Sequence, residues 1–550
     1  MKPTEYQISS EKFIFASQEG KLHDKELDTK PMSYFQDAFS RFKRNKASLV
    51  ASVIIGILIL FAIFGPILSP YQVKYNDSYF RYTLPKNELF SKLGIDFWDG
   101  CSDKEGMTEE TFLYYYSMGI ETGHNAIKNE EYEKYVWLNP STNKEENRYN
   151  FRLDSYYMKG MVFENLSLDT YNALQAYQNE TKIQVIYPIT ELKKRPAAVQ
   201  DTTNANYWYE TKKKDGKTVA VLKDGEFTDI YRKYTNGFDK YDSIRVEGET
   251  PVYDYARKMD GDYFEVRVNY YEYYIFINSA FYRDFYESAD SAVKNNLKTP
   301  NYYAKDDVTP SFLFGTTSYG QDIFTCLSSG ARFSFILAII VASVNLFVGA
   351  IYGAIEGYYG GKLDLIMERF SDILSAVPSM IIITLLKYYM TDNHFSIFGI
   401  TIPSQVVILF IAFFATGWIG MASRTRMQFY RFKNQEYVMA SRTLGAKDLR
   451  IMFKHIFPNA LGTLVTSCVL IIPSMIFSET SLSYLGIIDL NTGSMTSVGT
   501  LLASGRNGMT EYPHMILFPS IYISLLMLSF NLFGNGLRDA FNPSLRGAEE

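Results

Sequence analysis

The sequence is poor in the residues that build metal sites and disulfides. Its 550 residues include three cysteines, Cys101, Cys326 and Cys468. They lie far apart without a CxxC pair, so neither a disulfide framework nor a zinc cluster is encoded. Five histidines, His23, His124, His394, His455 and His514, show no HExxH or similar spacing, which argues against a metalloenzyme. Positive charge is not in surplus: 55 Lys and Arg against 60 Asp and Glu leave a net −5 and a pI near 5.8. A general nucleic-acid binder carries a basic surface instead. Walker A spacing is missing as well. The cluster Gly357-Tyr-Tyr-Gly-Gly-Lys362 is followed by Leu363 rather than Ser or Thr, so no ATP chemistry is encoded. The mean hydropathy of −0.12 is too low for a chain that is membrane-embedded throughout. A length of 550 residues calls for at least two units, and the average mixes them.

What is present begins with Ala47–Leu68, an uncharged apolar run of the length that crosses a ~30 Å hydrocarbon core. Arg41, Lys43, Arg44 and Lys46 precede it and place the N-terminus inside. It does not read as a cleaved signal peptide, because a polar stretch precedes it and Gly65-Pro66 stands near its end. Further spans are expected at Phe333–Ile355, Ser375–Tyr389, Gln405–Met421, Ala460–Phe477 and Met515–Phe533, with Lys387 interrupting the third. Six spans put both termini inside. They also put Ala422–Phe457 inside, where Arg424, Arg426, Arg431, Lys433, Arg442, Lys447, Arg450 and Lys454 outnumber Glu436 and Asp448. Asn345 and Glu356 fall in or at the end of the second span, Glu356 near enough to the interface to be hydrated; Pro473 and Pro519 are expected to kink their spans.

Residues 71–310 have another character, with 31 Lys and Arg against 39 Asp and Glu, 31 of the 44 tyrosines, and Trp98, Trp137 and Trp208. Tyr253-Asp-Tyr255 and the run from Tyr263 through Tyr270, Tyr271, Tyr273 and Tyr274 to Ile277 read as strands with aromatic faces. Asp215-Gly216 and Asp224-Gly225 read as turns. Together these signals predict a soluble mixed α/β unit.

The segment Glu436–Asn459 carries the functional signal. Tyr437–Leu444 has helical composition and Gly445 ends it. Lys447–Phe457 reads as a second, amphipathic helix with Leu449, Met452, Phe453 and Ile456 on one face, and Pro458 opens the next span. An interfacial helix that only anchors the loop has the same composition.

Ala440-Ser441-x-x-x-Gly445-Ala446, with His455 and Pro458-Asn459 beyond it, resembles the "EAA" loop of ABC importer permeases, in the variant of the dipeptide/oligopeptide/nickel family. Met439 stands where the wider superfamily has its acidic residue. Gly315-Thr-Thr-x-x-Gly320-Gln-Asp322 with Gly330-Ala-Arg332-x-Ser334 is similar to the family's entry to the second span, with Thr317 and Gln321 replacing Asp and Arg. Gly357-Tyr358-Tyr359-Gly360-Gly361-x-x-Asp364 with Arg369, Asp372 and Pro378, the loosely fitting Trp418, Arg424 and Arg426, Glu479-x-x-Leu-Ser-Tyr-Leu-Gly486, and Asn531-x-x-Gly534-Asn-x-Leu-Arg538-Asp539 with Pro543 extend the resemblance. The family's Trp-Gly element is absent, with Ser494–Gly499 in its place. Residues 33–70 also look like the N-terminal segment of the second, "C"-type, permease subunit.

The resemblance implies a polytopic α-helical membrane protein with the six-span type I ABC importer permease fold. The middle departs from it: the family usually joins spans 1 and 2 by a short external loop, whereas here about 240 residues are inserted, read from their composition as a soluble mixed α/β, β-rich extracellular domain. The chain's divisions are a cytoplasmic segment 1–46, a first span 47–70, the insert 71–311, a core 312–534 containing coupling loop 422–458, and a cytoplasmic tail 535–550. Glu436, Tyr437, Ala440, Ser441, Arg442, Gly445 and Ala446 are implied to form the coupling helix that docks on an ATPase. The chain itself is implied to be a non-catalytic subunit without cofactor or metal, since ATP and Mg belong to the ATPases. Implied partners are a "B"-type permease, two ABC ATPases, a lipid-anchored extracellular peptide-binding protein and a peptide, in a bacterial cell membrane, with no nucleic acid. Three alternatives stay open: a nickel or other small-solute permease of the same fold, a receptor using the outer domain, and a self-contained secondary transporter.

Overall fold

The computed structural model describes residues 34–93, 95–187, short stretches within 211–227 and 256–258, and residues 263–390, 395–397, 400–490 and 495–541. The expectations for Trp208, for Tyr253 to Tyr255, for the turns Asp215-Gly216 and Asp224-Gly225, for Ser494, for segment 1–33 and for the tail beyond 541 lie outside the described residues. The strands on either side of Asp215-Gly216, Thr211–Lys214 and Lys217–Ala220, do pair antiparallel with Lys214 opposite Lys217.

In chain order, α1 (Tyr34–Arg44) leads into α2 (Lys46–Leu68), whose N-cap Asn45 accepts from the Ser48 amide at 3.2 Å. The chain then forms β1 (Cys101–Thr108), α3 (Glu109–Thr122), β2 (Ile127–Asn139), β3 (Lys144–Asp154), β4 (Met161–Ser167), α4 (Leu168–Thr181), β5 (Ile186–Tyr187), β6 (Ala256–Lys258), β7 (Tyr263–Asn269), α5 (Tyr270–Ile277) and α6 (Ala280–Ser288). Next come α7 (Ile323–Tyr359), α8 (Gly361–Ser375), α9 (Ser379–Met390), α10 (Ser404–Phe432), α11 (Glu436–Thr443), α12 (Asp448–Tyr484), α13 (Val498–Gly505) and α14 (His514–Phe541).

Five of these helices, α2, α7, α10, α12 and α14, are long and apolar enough to cross a membrane, and the chain is a multi-pass membrane protein. The span expected at Ser375–Tyr389 is not one straight helix. Instead α8 and α9 meet at a 65° bend. Pro378 has no N–H to continue a helix and biases Val377 away from helical geometry, and α9 restarts with the Ile381 amide on the Pro378 carbonyl at 3.0 Å. The charges of α8, Lys362, Asp364, Glu368, Arg369 and Asp372, give it a polar face that a lipid-crossing helix lacks. The other spans outrun their expected bounds because polar residues at their ends are still helical. Pro473 and Pro519 lie inside helices that run through them.

The closest crossing joins α7 and α10. Gly349, Gly353 and Gly357 repeat every four residues, so they line one face of α7. A Cβ at Gly349 would sit 2.6 Å from the Trp418 carbonyl oxygen, one at Gly357 2.8 Å from that of Arg426, and one at Gly353 would overlap the Ala422 carbonyl. Such small-residue stripes allow backbone-to-backbone packing between membrane helices, where no hydrophobic force draws them together.

Besides two short two-stranded pairs within 211–227, residues between α2 and α7 build two larger antiparallel sheets, one ordered β1-β3-β2 and one ordered β6-β7-β4 with β5 also on β7. The aromatic run expected as continuous strand divides: Tyr263–Asn269 is strand, but Tyr270–Ile277 is helix. Asn269 accepts from the Tyr271 amide and starts that helix, and Tyr270, Tyr273, Tyr274, Phe276 and Ile277 are buried in an aromatic core with Tyr71, Tyr75, Phe80, Tyr171 and Tyr282. A helix buried over most of its surface shows no clear polar stripe, so its periodicity cannot distinguish it from a buried strand. Cys101, in β1, is free, and burial followed by Asp154 and Asp99 pushes its thiol up to about 12.

The ends of this region are clasped together. Tyr71 bridges Ala304, the Gln72 amide donates to the Tyr303 carbonyl at 2.8 Å, and the Lys305 amide to that of Pro70 at 2.9 Å. The region also meets the segments that lead into α7 and α14. The Thr83 amide donates to the Thr316 hydroxyl at 2.8 Å, Trp98 Nε1 to the Leu313 carbonyl at 2.9 Å, and Tyr82 stacks on Tyr512 at 4.6 Å.

The glycine stripe generates a contrast. Gly353→Leu must force α7 and α10 apart and should cost at least the ~1–3 kcal/mol of an overpacked core, lowering the melting temperature in detergent. Gly56→Leu, where nothing lies within 4 Å of the added Cβ, should leave it unchanged; equal melting of the two variants would contradict the stripe.

Candidate functional site

The basic segment after α10 folds into a short helix slung beneath the long ones. Helix α11 begins after Gln435, with Glu436 in its first turn, where an acidic side chain complements the helix dipole. It ends as Gly445 requires. The Ala446 amide reaches back to the Ser441 carbonyl at 3.1 Å and the Gly445 amide to that of Arg442 at 3.0 Å. That is a Schellman closure, which needs a left-handed residue, and Gly445 has φ +80. The helix lies within one residue of its expected bounds, and Gly445 makes the expected turn.

Beyond Gly445 the chain departs from the expectation. Lys447–Phe457 is not a separate amphipathic helix but the first turns of α12, which continues unbroken to Tyr484. Ile451–Ile456 are π-helical. The i→i+5 step rotates the face, so Ile451, Met452 and Ile456 are buried while Leu449 and Phe453, expected beside Met452 and Ile456, are exposed.

Only Val438 of α11 is buried, packed in a cluster with Ala354 and Tyr358 of α7, Phe429 of α10 and Ile451, Met452 and Ile456 of α12; Ala446 packs against that cluster. Ser441 donates to the Tyr437 carbonyl at 2.8 Å, and Tyr437 accepts from Asn459 Nδ2 at 3.1 Å. Burial lifts the Tyr437 hydroxyl above its ordinary value against that hydrogen bond, so it stays neutral. Arg442 reaches the Tyr358 hydroxyl at 3.4 Å, which itself donates to Asp448 at 2.6 Å. The outer side is open: Tyr437, Met439, Ala440 and Leu444 are exposed, Leu444 at 88%, and a Cβ at Gly445 meets nothing within 4 Å. Exposed apolar patches of this kind are a feature of surfaces that contact protein partners or membrane.

Above α11 sits a charge knot that the sequence did not assemble. Arg426 forks onto Asp364 with Nε–Oδ1 at 2.6 Å and Nη2–Oδ2 at 2.8 Å, and onto Glu368 with Nη1–Oε1 at 2.8 Å. Glu356 lies 3.8 Å from its Nε and is 3% exposed, buried and paired rather than hydrated at an interface. Tyr430 donates to Asp364 at 2.5 Å and Lys433 Nζ to the Gly357 carbonyl at 3.0 Å. The knot therefore ties the ends of α7 and α10 to α8. Asp364 and Arg426 each stand in a quoted motif, but nothing in one sequence pairs positions 62 apart. The i, i+4 spacing of Asp364 and Glu368 was the one available signal, since it puts both carboxylates on one face. Asn345, the other polar residue noted in the second span, is fully buried and its amide has no partner among the described residues.

Comparison with known proteins bears on this arrangement. Residues 346–547 match the family model described as binding-protein-dependent transport system inner membrane component, and residues 33–85 match that of the N-terminal TM domain of oligopeptide transport permease C. The chain is 42% identical over 233 residues to the oligopeptide transport system permease protein OppC of Bacillus subtilis, covering 42% of this chain and 72% of that one. It is 34% identical over 263 residues to the dipeptide transport system permease protein DppC of the same organism, covering 47% and 76%. Among solved structures, an inward-facing MetNI methionine ABC transporter chain aligns at 15% identity and a TM-score of 0.30, covering 40% of this chain and 96% of that one.

Removing the guanidinium leaves three carboxylates facing one another. Arg426→Met should lower stability by roughly 2–4 kcal/mol, somewhat below a fully buried broken pair because Arg426 retains partial exposure. Arg426→Lys should recover only part of this, since an ammonium does not reproduce the two-pronged fork. Chemical or thermal unfolding in nanodiscs reads the order wild type, Lys, Met; indistinguishable Lys and wild-type curves would contradict the fork.

Proposed function

Because the chain belongs to the family of binding-protein-dependent transport system inner membrane components, and is the transmembrane permease subunit of an oligopeptide or dipeptide ABC importer, we propose that its α11 couples transport to ATP hydrolysis in a separate subunit. The observation that carries this reading is the exposed α11–Gly445 surface, held rigidly against the ends of three long helices. Glu436, Tyr437, Ala440, Ser441, Arg442, Gly445 and Ala446 form that surface and its support. Small Ala440 and the open Gly445 turn admit close approach of a partner, and exposed Met439, Leu444 and Leu449 offer it apolar contact.

The mechanism is built on the contacts of α11. Two ATPases closing on ATP would move α11 of this chain and of a homologous "B"-type partner. Val438 and the Arg442–Tyr358–Asp448 chain pass that displacement to α7 and α12. The Arg426 knot makes α8 and the ends of α7 and α10 follow as one piece, and the glycine stripe carries the tilt along the crossing. The spans would then open outward to a peptide delivered by a lipid-anchored binding protein. ATP and Mg remain in the partner subunits.

The charge pattern supports the orientation. The cations before α2 and those of the α10–α12 loop favour the cytoplasmic side for both. Residues 71–311 then lie outside the bacterial cell membrane as an α/β domain clasped to the outer ends of α2 and α7, where a binding protein docks.

Valine at position 445 is strained by the left-handed backbone at a cost of ~1–3 kcal/mol. Gly445→Val should therefore reduce peptide uptake roughly tenfold while the chain still inserts and the complex still hydrolyses ATP. Uptake and ATPase activity measured together in proteoliposomes test this, and undiminished uptake refutes it. Affinity purification of the native chain should retain two ATPase subunits; their consistent absence overturns the importer assembly.

A further inference from the structure

The clasp region contains a cavity of about 320 Å³ between the entering segment, α5 and the returning segment. Its walls combine both signs of charge with aromatic rings. Asp77 supplies a carboxylate, Lys74 and Lys298 supply ammonium groups, and Tyr270, Tyr274 and Tyr303 supply rings. We propose that this cavity is a binding site for a small zwitterion, a peptide of about two residues with free amino and carboxyl ends, as its size at the low end of ligand pockets fits.

The wall is pre-organised. Tyr270 donates to Asp77 at 2.8 Å, the Tyr79 amide donates to the same carboxylate at 2.8 Å, and Tyr75 and Tyr274 share a hydroxyl–hydroxyl bond at 2.9 Å. The Lys298 carbonyl accepts from Tyr282 at 2.7 Å, which fixes the backbone on the opposite side. The Asp77 carboxylate accepts from Tyr270 and from the Tyr79 and Phe80 amides, and with about four lone-pair directions on its two oxygens it retains capacity for a ligand ammonium. Burial pushes the Asp77 carboxyl above its ordinary range despite those hydrogen bonds and the nearby Lys298 ammonium, and a further cation alongside would relieve it.

The opposite charge is equally available. Lys74 has no ion pair among the described residues and stands 5.8 Å from the Tyr303 ring. Lys298 holds Glu164 at 3.3 Å but its side chain is 45% exposed, so that contact is weak and screened. A ligand carboxylate therefore has two ammonium partners at the rim. Asn278 adds an amide 2% exposed whose Oδ1 has no partner among the described residues. A peptide unit offers complementary donors to such a wall.

This inference rests on the peptide-importer reading for the choice of ligand, and its test separates the two. Full-length chain in nanodiscs is titrated calorimetrically with dialanine, N-acetyl-dialanine and dialanine amide. Saturable dialanine binding, weakened about tenfold or more by either modification, supports the site when Lys74→Gln/Lys298→Gln also weakens it. Those positions are exposed, so the variant should fold, which its melting curve checks; Asp77→Asn should act on the ammonium end. No saturable binding, equal binding of the three probes, or undiminished binding by the folded double variant overturns the site, even where the assembled complex takes up peptide. Lysine-dependent binding with no uptake by the complex supports the site and counts against the importer reading alone.

Discussion

Arg426 occupies a place where a long membrane helix leaves the apolar layer, and an unpaired cation there would be costly. Its fork is answered by Asp364 and Glu368 on α8, with Glu356 of α7 beside them. Each partner depends on the others: the carboxylates repel one another without the guanidinium, and the guanidinium is stranded without them. The consequence is geometric. Helix α8 cannot leave the ends of α7 and α10, although a 65° bend separates it from α9. The glycine stripe permits the two long helices to approach, and the knot sets where along their length they stay.

The same logic explains how a large insertion coexists with the spans of a permease. Closing a loop of this length costs only logarithmically more than closing a short one. That closure is made once, by the Tyr71–Ala304 bridge and the backbone hydrogen bonds beside it. An aromatic core then stabilises the region from within, so its two ends meet the membrane helices much as a short loop would.

Legibility in the sequence followed the physics of each signal. Uncharged runs announced α2, α7, α10, α12 and α14, because length and apolarity suffice in a bilayer, and Gly445 announced its own turn. The bend at Pro378 was visible as a proline but not as a break, since membrane helices often run through prolines, as α12 and α14 do at Pro473 and Pro519. Tyr270–Ile277 hid its helix because burial over most of its surface erases the period. The π-helical step put Leu449 and Phe453 outside because ordinary spacing assumes an i→i+4 helix. Arg426 and Asp364 were each noticed, yet their pairing is a three-dimensional fact that local pattern does not contain.

The clasp at Tyr71 and Ala304 has one more implication. A region whose two ends are hydrogen-bonded to each other beside the membrane helices has little freedom to swing. Anything held by it is presented at one distance and one bearing from the membrane helices. A free solute arrives from the bulk at whatever concentration the medium offers, whereas a solute released from a fixed perch experiences a local concentration set by distance, in the millimolar range for separations of short-linker size. The inserted region would thereby convert dilute encounter into near-unimolecular transfer, a kinetic advantage that rigidity alone confers.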